Sequence, residues 1–501
     1  MSVMSANNSA KRPMGHADGV EGPAKRITRA ATTASPAAAS ASAPEDLLNK
    51  GKIIAMYNHK GGVGKTSMTA SLGWALADSG KKVLLVDADP QCNLTGFLVD
   101  PGFEFLLEHY DGDERIDDPM HAFYHQESTR RCNLAAACSP LLGSAQQQQH
   151  FGLNERVQTQ LCTDVFQVCK RNQFVQNEEW RTKLPDVPEK LFLLGGHPDT
   201  HNFELKISTA IGSREAVSAA DNIVGCFAGL LRQIQRAQGE EPFDFIILDL
   251  SPSRSIVNEL LVTLANYLIV PCSPDFYSNL AIAHLGEFLP RWCQSSIARA
   301  SRDDAHQDFK LPPRMPIVLG LTFSMYRLAA SSKKTPETAD FRPVKAAWKW
   351  FQHVQSNFTI KVAPKLEKYC LVSGLVSRGE EDNVELASVP FLNSAANLAN
   401  LIHVPGYALT GAHASMAGAA QTVISTRAMA AARRAIERLK CRLLASNVVA
   451  DEDDIRDRQN DLITMMQKYP DETVKEYIRK SPGDRKKFIC VLEEIRKTAG
   501  N

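Results

Sequence analysis

The sequence lacks the signatures of several protein classes. Its 11 cysteines include no Cys-x-x-Cys pair, and no histidine cluster has the spacing of metal ligands, which argues against a zinc module or a dense disulfide scaffold. No apolar run reaches the roughly 18 residues of a membrane-spanning helix. The net charge is +1, so any nucleic-acid or membrane surface must be local. This composition favours a reducing, cytoplasmic compartment.

Residues 1–48 are predicted to form a disordered tail. They are rich in Ala, Ser, Thr and Pro, and a segment of this composition buries too little apolar surface to fold. Basic pairs such as Lys11-Arg12 and Lys25-Arg26 would also suit an organelle transit peptide or a nuclear import signal. Both targeting functions remain alternatives to a tail whose basic pairs are only solvated and have no targeting role.

The ordered part begins with a strand, a glycine-rich loop, a helix and a second strand. Residues 53–57 and 82–87 are short apolar runs typical of buried parallel strands, and 66–79 repeats apolar residues at helical spacing. Similar runs return at 191–194, 245–249, 267–271 and 317–321. Strands separated by helical sequence predict an α/β fold with a doubly wound, mostly parallel sheet flanked by helices.

Breaks in this pattern divide the chain into three parts. We expect the tail at 1–48, a P-loop domain at 49–445 and a helical C-terminal extension at 446–501. The P-loop domain is expected to contain helical insertions at about 101–190 and 335–385. A long helix is predicted over 452–469. In the second insertion, Trp348, Trp350 and Phe351 are interpreted as core or lid residues rather than a nucleic-acid stacking face.

A loop with three glycines and a Lys-Thr pair lies between the first strand and its helix. It reads His59-Lys60-Gly61-Gly62-Val63-Gly64-Lys65-Thr66, followed by Ser67. Residues without side chains let backbone N–H groups approach a phosphate chain, and the helix N-terminus adds its dipole. Lys65 would reach the phosphate oxygens and the Thr66 hydroxyl would bind Mg²⁺. The loop predicts an ATP site, and a plain glycine turn is the alternative.

The string from Lys60 to Thr66 resembles the deviant Walker motif of the ParA, MinD and nitrogenase iron-protein superfamily. There the extra lysine, at the position of Lys60, reaches across a dimer interface to the partner's nucleotide. The resemblance therefore implies an ATP-dependent homodimer and gives Lys60 and Lys65 catalytic roles. A surface lysine near the phosphates is the alternative for Lys60.

Three acidic residues complete the resemblance. Asp87-Ala88-Asp89-Pro90-Gln91 looks like the Asp-x-Asp-Pro-Gln segment of ParA-type proteins, which implies that Asp87 supports the Mg²⁺ shell and Asp89 orients the attacking water. Asp249 resembles the Walker B acid, which holds Mg²⁺ through its waters. A helix cap is the alternative for Asp249.

The chain also departs from the family pattern. Asp249-Leu250-Ser251-Pro252 stands where Asp-x-Pro-Pro is common, so the hydrolytic switch is altered. No asparagine occurs at 322–324, where the family often contacts the purine, which leaves adenine and guanine undecided. Arg254, after the switch, is interpreted as an extra phosphate contact.

Two segments are candidates for a macromolecular partner. On a helix predicted over 426–445, four arginines lie near one face and Ile436 and Leu443 lie opposite; the four are Arg427, Arg434, Arg438 and Arg442. Such a stripe suits non-specific DNA, as in ParA-type proteins, or is an ordinary solvated face. Residues 485–495 would pack on another helix or lie on a membrane, as in MinD-like relatives.

The resemblance thus implies a slow Mg-ATPase in DNA partition or cargo positioning, activated by a ParB-like protein and associated with the nucleoid. A MinD-like membrane-cycling regulator, an iron–sulfur carrier and a biosynthetic ATPase are the alternatives. The carriers need cysteines at a dimer interface or in a Cys-x-x-Cys pair, and the sequence offers no good match.

Overall fold

The computed structural model describes residues 46–102, 118–143, 160–175, 178–182, 184–212, 218–301, 305–330, 341–372, 384–424, 426–445, 448–449 and 451–468. Residues 1–45, the glutamines at 146–149 and the segment 485–495 lie outside them. The predictions made for those segments therefore stay predictions.

One sheet of eight strands forms the centre of the described part, in the order β3-β4-β2-β5-β1-β6-β7-β8. The strands are β1 (Lys52–Met56), β2 (Val83–Asp87), β3 (Phe166–Gln167), β4 (Leu191–Leu194), β5 (Phe245–Asp249), β6 (Tyr267–Cys272), β7 (Ile317–Phe323) and β8 (Glu385–Ser388). All neighbouring pairs are parallel except β3 and β4. The sheet is therefore mostly parallel, as the apolar runs predict.

Helices connect these strands. The described α-helices are α1 (Lys65–Asp78), α2 (Asn93–Val99), α3 (Pro119–His125), α4 (Leu134–Leu142), α5 (Glu178–Arg181), α6 (Phe203–Gly212), α7 (Ser218–Val224), α8 (Cys226–Ala237), α9 (Ile256–Leu264), α10 (Phe276–Ala300), α11 (Lys345–Asn357), α12 (Ala363–Glu367), α13 (Ser394–Ile402), α14 (Gly411–Met416), α15 (Arg427–Leu444) and α16 (Glu452–Lys468). A short π-helix, Phe358–Val362, joins α11 to α12. No helix of the described residues is long and apolar enough to cross a membrane.

Alternate residues of each central strand enter different cores. In β1, Ile53 and Ala55 belong to one apolar cluster, whereas Ile54 and Met56 belong to the other. The first cluster takes in residues of α8, α9 and α10, and the second takes in residues of α1, α2 and α15. Since successive side chains of a strand point to opposite faces, the sheet is covered by helices on both sides. The predicted doubly wound fold is confirmed.

The folded unit begins before the predicted boundary at residue 49. Asp46 forms two hydrogen bonds with Arg232, at 2.8 and 2.9 Å, and Leu48 is buried in the first cluster. A 3₁₀ turn, Leu47–Asn49, joins them. Residues 46–48 therefore belong to the folded unit rather than to the tail, because an ion pair and an apolar side chain fix them.

Both predicted insertions contain ordered elements. The first holds α3, α4, α5 and the antiparallel edge strand β3. The second holds α11 and α12, where Phe351 is buried and its ring stacks 4.2 Å from that of Phe323. Trp348 stacks on Phe351 from outside and stays 43% exposed. The aromatic residues of the second insertion thus anchor α11 on the end of β7.

Candidate nucleotide site

The glycine-rich loop and two of the predicted acids meet at one edge of the sheet. The loop follows β1, Asp87 ends β2 and Asp249 ends β5, the strand between them. Asp249 is in register with Met56 on one side and with Asp87 on the other. Because the carboxyl ends of parallel strands share one edge, ligands of such sheets bind there.

The loop has the backbone that close approach to an anion requires. Gly62 and Gly64 have φ angles of 70° and 78°, in the left-handed region that favours glycine. A Cβ at Gly64 would lie 2.7 Å from Ser324 Oγ, whose hydroxyl donates to Val63 O at 2.8 Å. The helix α1 begins at Lys65 without a side-chain cap, so its first N–H groups are available to an anion.

Lys65 lies under the loop and is 7% exposed. Its Nζ donates to Lys60 O at 3.3 Å, across the mouth of the loop. Burial lowers the pKa of Lys65, while the charges of Asp249 and Asp89 act in the opposite direction. A buried ammonium group beside an open anion cradle has the chemistry to bind phosphate oxygens.

Asp249 is held by two hydroxyl groups of α1. Thr66 Oγ1 donates to Asp249 Oδ2 at 2.8 Å, and Thr69 Oγ1 donates to Asp249 Oδ1 at 3.2 Å. Burial, reinforced by the charge of Asp87, raises the pKa of Asp249 to about 7. Burial is also the main cause that raises the pKa of Asp87 to about 6. The charge of Asp89 also raises the pKa of Asp87. A cation beside these buried acids would stabilise their charged forms.

This donor set fits Mg²⁺ bound together with a nucleotide. Among the described residues, no three His, Cys, Asp or Glu side chains are grouped so that they could hold a metal ion by themselves. Magnesium typically keeps several waters and takes one or two protein oxygens besides phosphate oxygens. Thr66 would be the direct ligand, and Asp249 and Asp87 would hold the waters.

A cavity of about 700 Å³ opens above the loop. Asp89, 9% exposed, lines it, and the Asp89 carboxylate accepts a hydrogen bond from Gln91 N at 3.0 Å. The opposite wall is formed by residues that the sequence did not single out for binding: Ser324, Met325, Pro390, Phe391 and Tyr407. The cavity has room for a nucleoside triphosphate.

Lys60 does not line this cavity; it turns to the start of α10. Its Nζ contacts Asp275 Oδ2 at 2.5 Å, Ser273 Oγ at 2.6 Å and Ser278 Oγ at 3.4 Å. The loop backbone at Lys60 is fixed as well, since Lys60 N donates to Asn58 Oδ1 at 3.0 Å. The chain therefore gives its own Lys60 an acidic partner, next to the loop but outside the cavity.

The altered switch segment is a compact turn. Asn258 Nδ2 donates to the carbonyl oxygens of Ser251 and Ser253 at 3.0 and 2.9 Å. Arg254, expected near the phosphates, instead lies over the ring of Phe288 at 5.3 Å, with its guanidinium 3.4 Å from His284 Nδ1. Arg254 is not among the residues that line the cavity, and its expected phosphate contact stays a prediction.

The four arginines of the predicted stripe all lie on α15 but differ in exposure. Arg434 and Arg438 are exposed, and the Arg434 guanidinium lies 4.9 Å from the ring centre of Phe341. Arg427 and Arg442 are half-buried, and Arg427 donates to Ala329 O at 2.9 Å. Ile436 and Leu443 are buried on the other side, as the helical spacing predicts. The exposed part of the stripe is therefore Arg434 and Arg438.

Comparisons with known proteins agree with this site. The family model described as an AAA domain matches residues 51–118 and 150–297. The sporulation initiation inhibitor protein Soj of Bacillus subtilis is 62% identical over 48 residues, 10% of this chain and 19% of that protein. The chromosome partitioning protein ParA of Caulobacter vibrioides is 57% identical over 42 residues, 8% of this chain and 16% of that protein.

Residues 51–118 and 150–297 are thus similar to the nucleotide-binding part of ParA-type P-loop proteins. The matched segments span less than a fifth of the length of these two relatives. An uncharacterized protein of Methanocaldococcus jannaschii is 23% identical over 228 residues, 45% of this chain and 60% of its own length.

Two solved structures share this fold over most of the chain. One is a protein of Corynebacterium diphtheriae with a TM-score of 0.43, 17% identity and coverage of 71% of this chain and 97% of that one. The other is the ATP complex of McdA from Cyanothece, with a TM-score of 0.34, 14% identity and coverage of 74% and 98%.

The fold thus brings most of the predicted nucleotide-site residues together. Gly61 to Ser67 and Asp89 line the cavity, and Thr66 joins Asp249 beneath it. Lys60 and Arg254 point elsewhere, and α15 contributes Ala432 and Ile436, rather than its arginines, to the cavity wall. Besides the wall residues, the sequence analysis missed two supporting hydroxyl groups: Thr69, which donates to Asp249, and Ser324, which donates to the loop. In the sequence, each of these two positions shows only a hydroxyl residue next to apolar residues, which does not indicate a role in the site.

Proposed function

We propose that the protein binds Mg-ATP, forms a dimer with a second copy of itself around the nucleotide, and slowly hydrolyses the γ-phosphate to reset. The observation that carries this proposal is the placement of Thr66, Asp249 and Asp87 beneath the glycine loop, with Asp89 in the same cavity.

The residues divide the chemistry among them. The loop N–H groups and Lys65 bind the β- and γ-phosphate oxygens. When bound, Mg²⁺ would neutralise charge between those oxygens. Asp89 holds a water in line with the γ-phosphorus, where the water oxygen forms the new P–O bond as the bond to the ADP oxygen breaks. A positioned carboxylate and a preorganised cradle supply most of what phosphoryl transfer requires.

Dimer formation would use Lys60 of each copy. In the chain described here Lys60 pairs with Asp275, so the lysine must leave that partner before it can reach another molecule's nucleotide. ATP binding would provide the competing charge, because the phosphates next to the loop attract the same ammonium group. The dimer is thus proposed as the ATP state and the monomer as the ADP state.

The cargo proposed for the ATP dimer is DNA, bound without sequence preference through Arg434 and Arg438 of α15. Both are exposed, and a dimer doubles their number. Backbone contacts of this kind weaken steeply as salt rises, because binding releases counterions. A ParB-like protein that accelerates hydrolysis would complete the cycle, and the DNA-bound form would lie on the nucleoid.

Sedimentation of the purified full chain tests the proposal. The wild type and Asp89→Ala are compared with ADP and with ATP, each with Mg²⁺, with and without random-sequence duplex DNA at two salt concentrations. We expect Asp89→Ala to sediment as an ATP-dependent dimer that carries DNA at low salt only. A dimer that ignores DNA at both salt concentrations would refute the DNA cargo, and a monomer with ATP would refute the dimer.

A further inference from the structure

Thr95, two residues into α2, makes three buried contacts at the acid that ends β2. Its N and its Oγ1 both donate to Asp87 Oδ2, at 2.9 and 2.6 Å, and Thr95 itself is fully buried. The third contact comes from the turn after β4, where Gly196 N donates to Thr95 Oγ1 at 2.7 Å. One hydroxyl group therefore joins β2, α2 and the end of β4.

The contact from Gly196 fixes the direction of the Thr95 hydroxyl. A hydroxyl group has one proton to donate, and its oxygen accepts through lone pairs. Since the Gly196 N–H occupies a lone pair of Oγ1, the proton is left for Asp87 Oδ2. Two donors then fill Oδ2, whereas Oδ1 receives a single bond, from Asp89 N at 3.2 Å. Oδ1 is the oxygen of Asp87 with acceptor capacity to spare.

The glycine is required by the space beside the carboxylate. A Cβ at Gly196 would lie 3.0 Å from Asp87 Cγ and 3.1 Å from Cys92 Sγ, closer than ordinary contacts. Gly196 O also accepts from Tyr124 Oη at 3.0 Å, which anchors the turn on α3. The Leu-Leu-Gly-Gly sequence that ends β4 thus lets a backbone N–H reach the hydroxyl that orients Asp87.

We infer that Thr95 is a positioning residue for the magnesium site. It fills Asp87 Oδ2 so that Oδ1 is the oxygen left to accept from a metal-bound water, with Gly196 N setting the direction of the hydroxyl. The inference rests on the proposed function, because it concerns the same Mg-nucleotide. A purely structural role, anchoring α2 on the sheet, is the competing explanation.

The experiment measures how nucleotide affinity depends on Mg²⁺. Binding of a fluorescent ATP analogue to the full chain is titrated first with EDTA and then at rising Mg²⁺, for the wild type, Thr95→Val and Thr95→Ser. Thr263→Val is the matched control, since Thr263 is buried on α9 and donates only to backbone oxygens there. ATP turnover at the same Mg²⁺ concentrations is recorded in parallel.

We expect Thr95→Val to need at least tenfold more Mg²⁺ for its half-maximal gain in affinity, with Mg-free affinity within twofold of the wild type. Thr95→Ser and Thr263→Val should stay within twofold in both measurements. Gly196→Ala should shift the Mg²⁺ dependence in the same direction as Thr95→Val, because its Cβ displaces the carboxylate.

An unchanged Mg²⁺ dependence in Thr95→Val overturns the inference. If that variant does not fold, Thr95→Ala takes its place, and failure of both to fold while Thr95→Ser folds establishes the structural role instead. A wild type whose nucleotide affinity ignores Mg²⁺ would mean that the proposed function itself has failed.

Discussion

Lys60 Nζ lies 2.5 Å from Asp275 Oδ2 of the same chain. Asp275 is also the N-cap of α10, where its other oxygen accepts from Ser278 N at 2.9 Å. The lysine hydrogen bond is among the causes that hold the pKa of Asp275 below its usual value, against the opposing effect of burial. The residue expected to act on a second molecule is therefore engaged within its own chain, and the competition between the two partners can be tested.

We predict that Asp275→Asn forms the ATP dimer at several-fold lower protein concentration than the wild type. Asparagine caps a helix about as well as aspartate, so the substitution removes the charge that holds Lys60 and keeps the cap. A larger fraction of competent monomers lowers the apparent dissociation constant in proportion. Analytical ultracentrifugation with Mg-ATP measures it.

Two further variants serve as controls for the dimerisation measurement. Asp275→Glu keeps the charge and should dimerise like the wild type or less readily. Lys60→Ala should bind ATP within about threefold and yet fail to dimerise at any ATP concentration. A Lys60→Ala chain that dimerises with ATP would remove the cross-chain role of this lysine.

Asp89→Ala should lose ATP hydrolysis while it still binds ATP. Removal of the group that positions a reacting water typically costs about 100-fold or more in rate. Asp89 lines the cavity, but its hydrogen bonds are made with Asp87, Gln91 and Cys92 rather than with the glycine-rich loop, so ATP affinity should change less than threefold. Phosphate release under saturating Mg-ATP is the assay. Asp78→Ala, an exposed acid at the end of α1, is the control and should retain wild-type turnover.

The nucleotide loop was predictable because its signals are local. A strand, three glycines, Lys65-Thr66 and a helix follow one another within 27 residues of the chain, and each position has a physical reason that the sequence displays. The doubly wound sheet was predictable for the same reason, from apolar runs of strand length. Strand β3 was missed because it has only two residues, and β8 was missed because its sequence, Glu-Leu-Ala-Ser, is not an apolar run.

Contacts between distant residues could not be predicted. Gly196 reaches Thr95 across 101 positions, and Lys60 reaches Asp275 across 215. Neither pair has a pattern in the sequence, since a lone threonine or aspartate fits many places. The position of Arg254 over the ring of Phe288 on α10 is a contact of the same kind, since it also joins distant residues. Such outcomes depend on which elements pack together.

Gly64→Ala should lose at least tenfold in ATP affinity. Its φ of 78° is strained for alanine by about 1–2 kcal/mol, and the new Cβ would lie 2.7 Å from Ser324 Oγ, so the loop must shift. Gly80→Ala is the matched control, with a φ of 87° and no atom within 4 Å of its Cβ. It should lose similar thermal stability but bind ATP normally. Calorimetry and thermal unfolding separate the two effects.

Charge reversal at Arg434 and Arg438 should abolish DNA retention by the ATP dimer. Four charges of the wrong sign then face the DNA backbone in each dimer, at exposed positions that do not line the cavity, so ATP affinity should stay within twofold. The control reverses Lys170 and Lys190, two exposed lysines near the β3 edge of the sheet, and changes the net charge equally. If both double variants lose DNA to the same degree, net charge alone determines retention, and α15 is not the DNA surface. If only the α15 variant loses it, and a wild-type salt titration gives a steep fall in retention, the arginines contact phosphates directly.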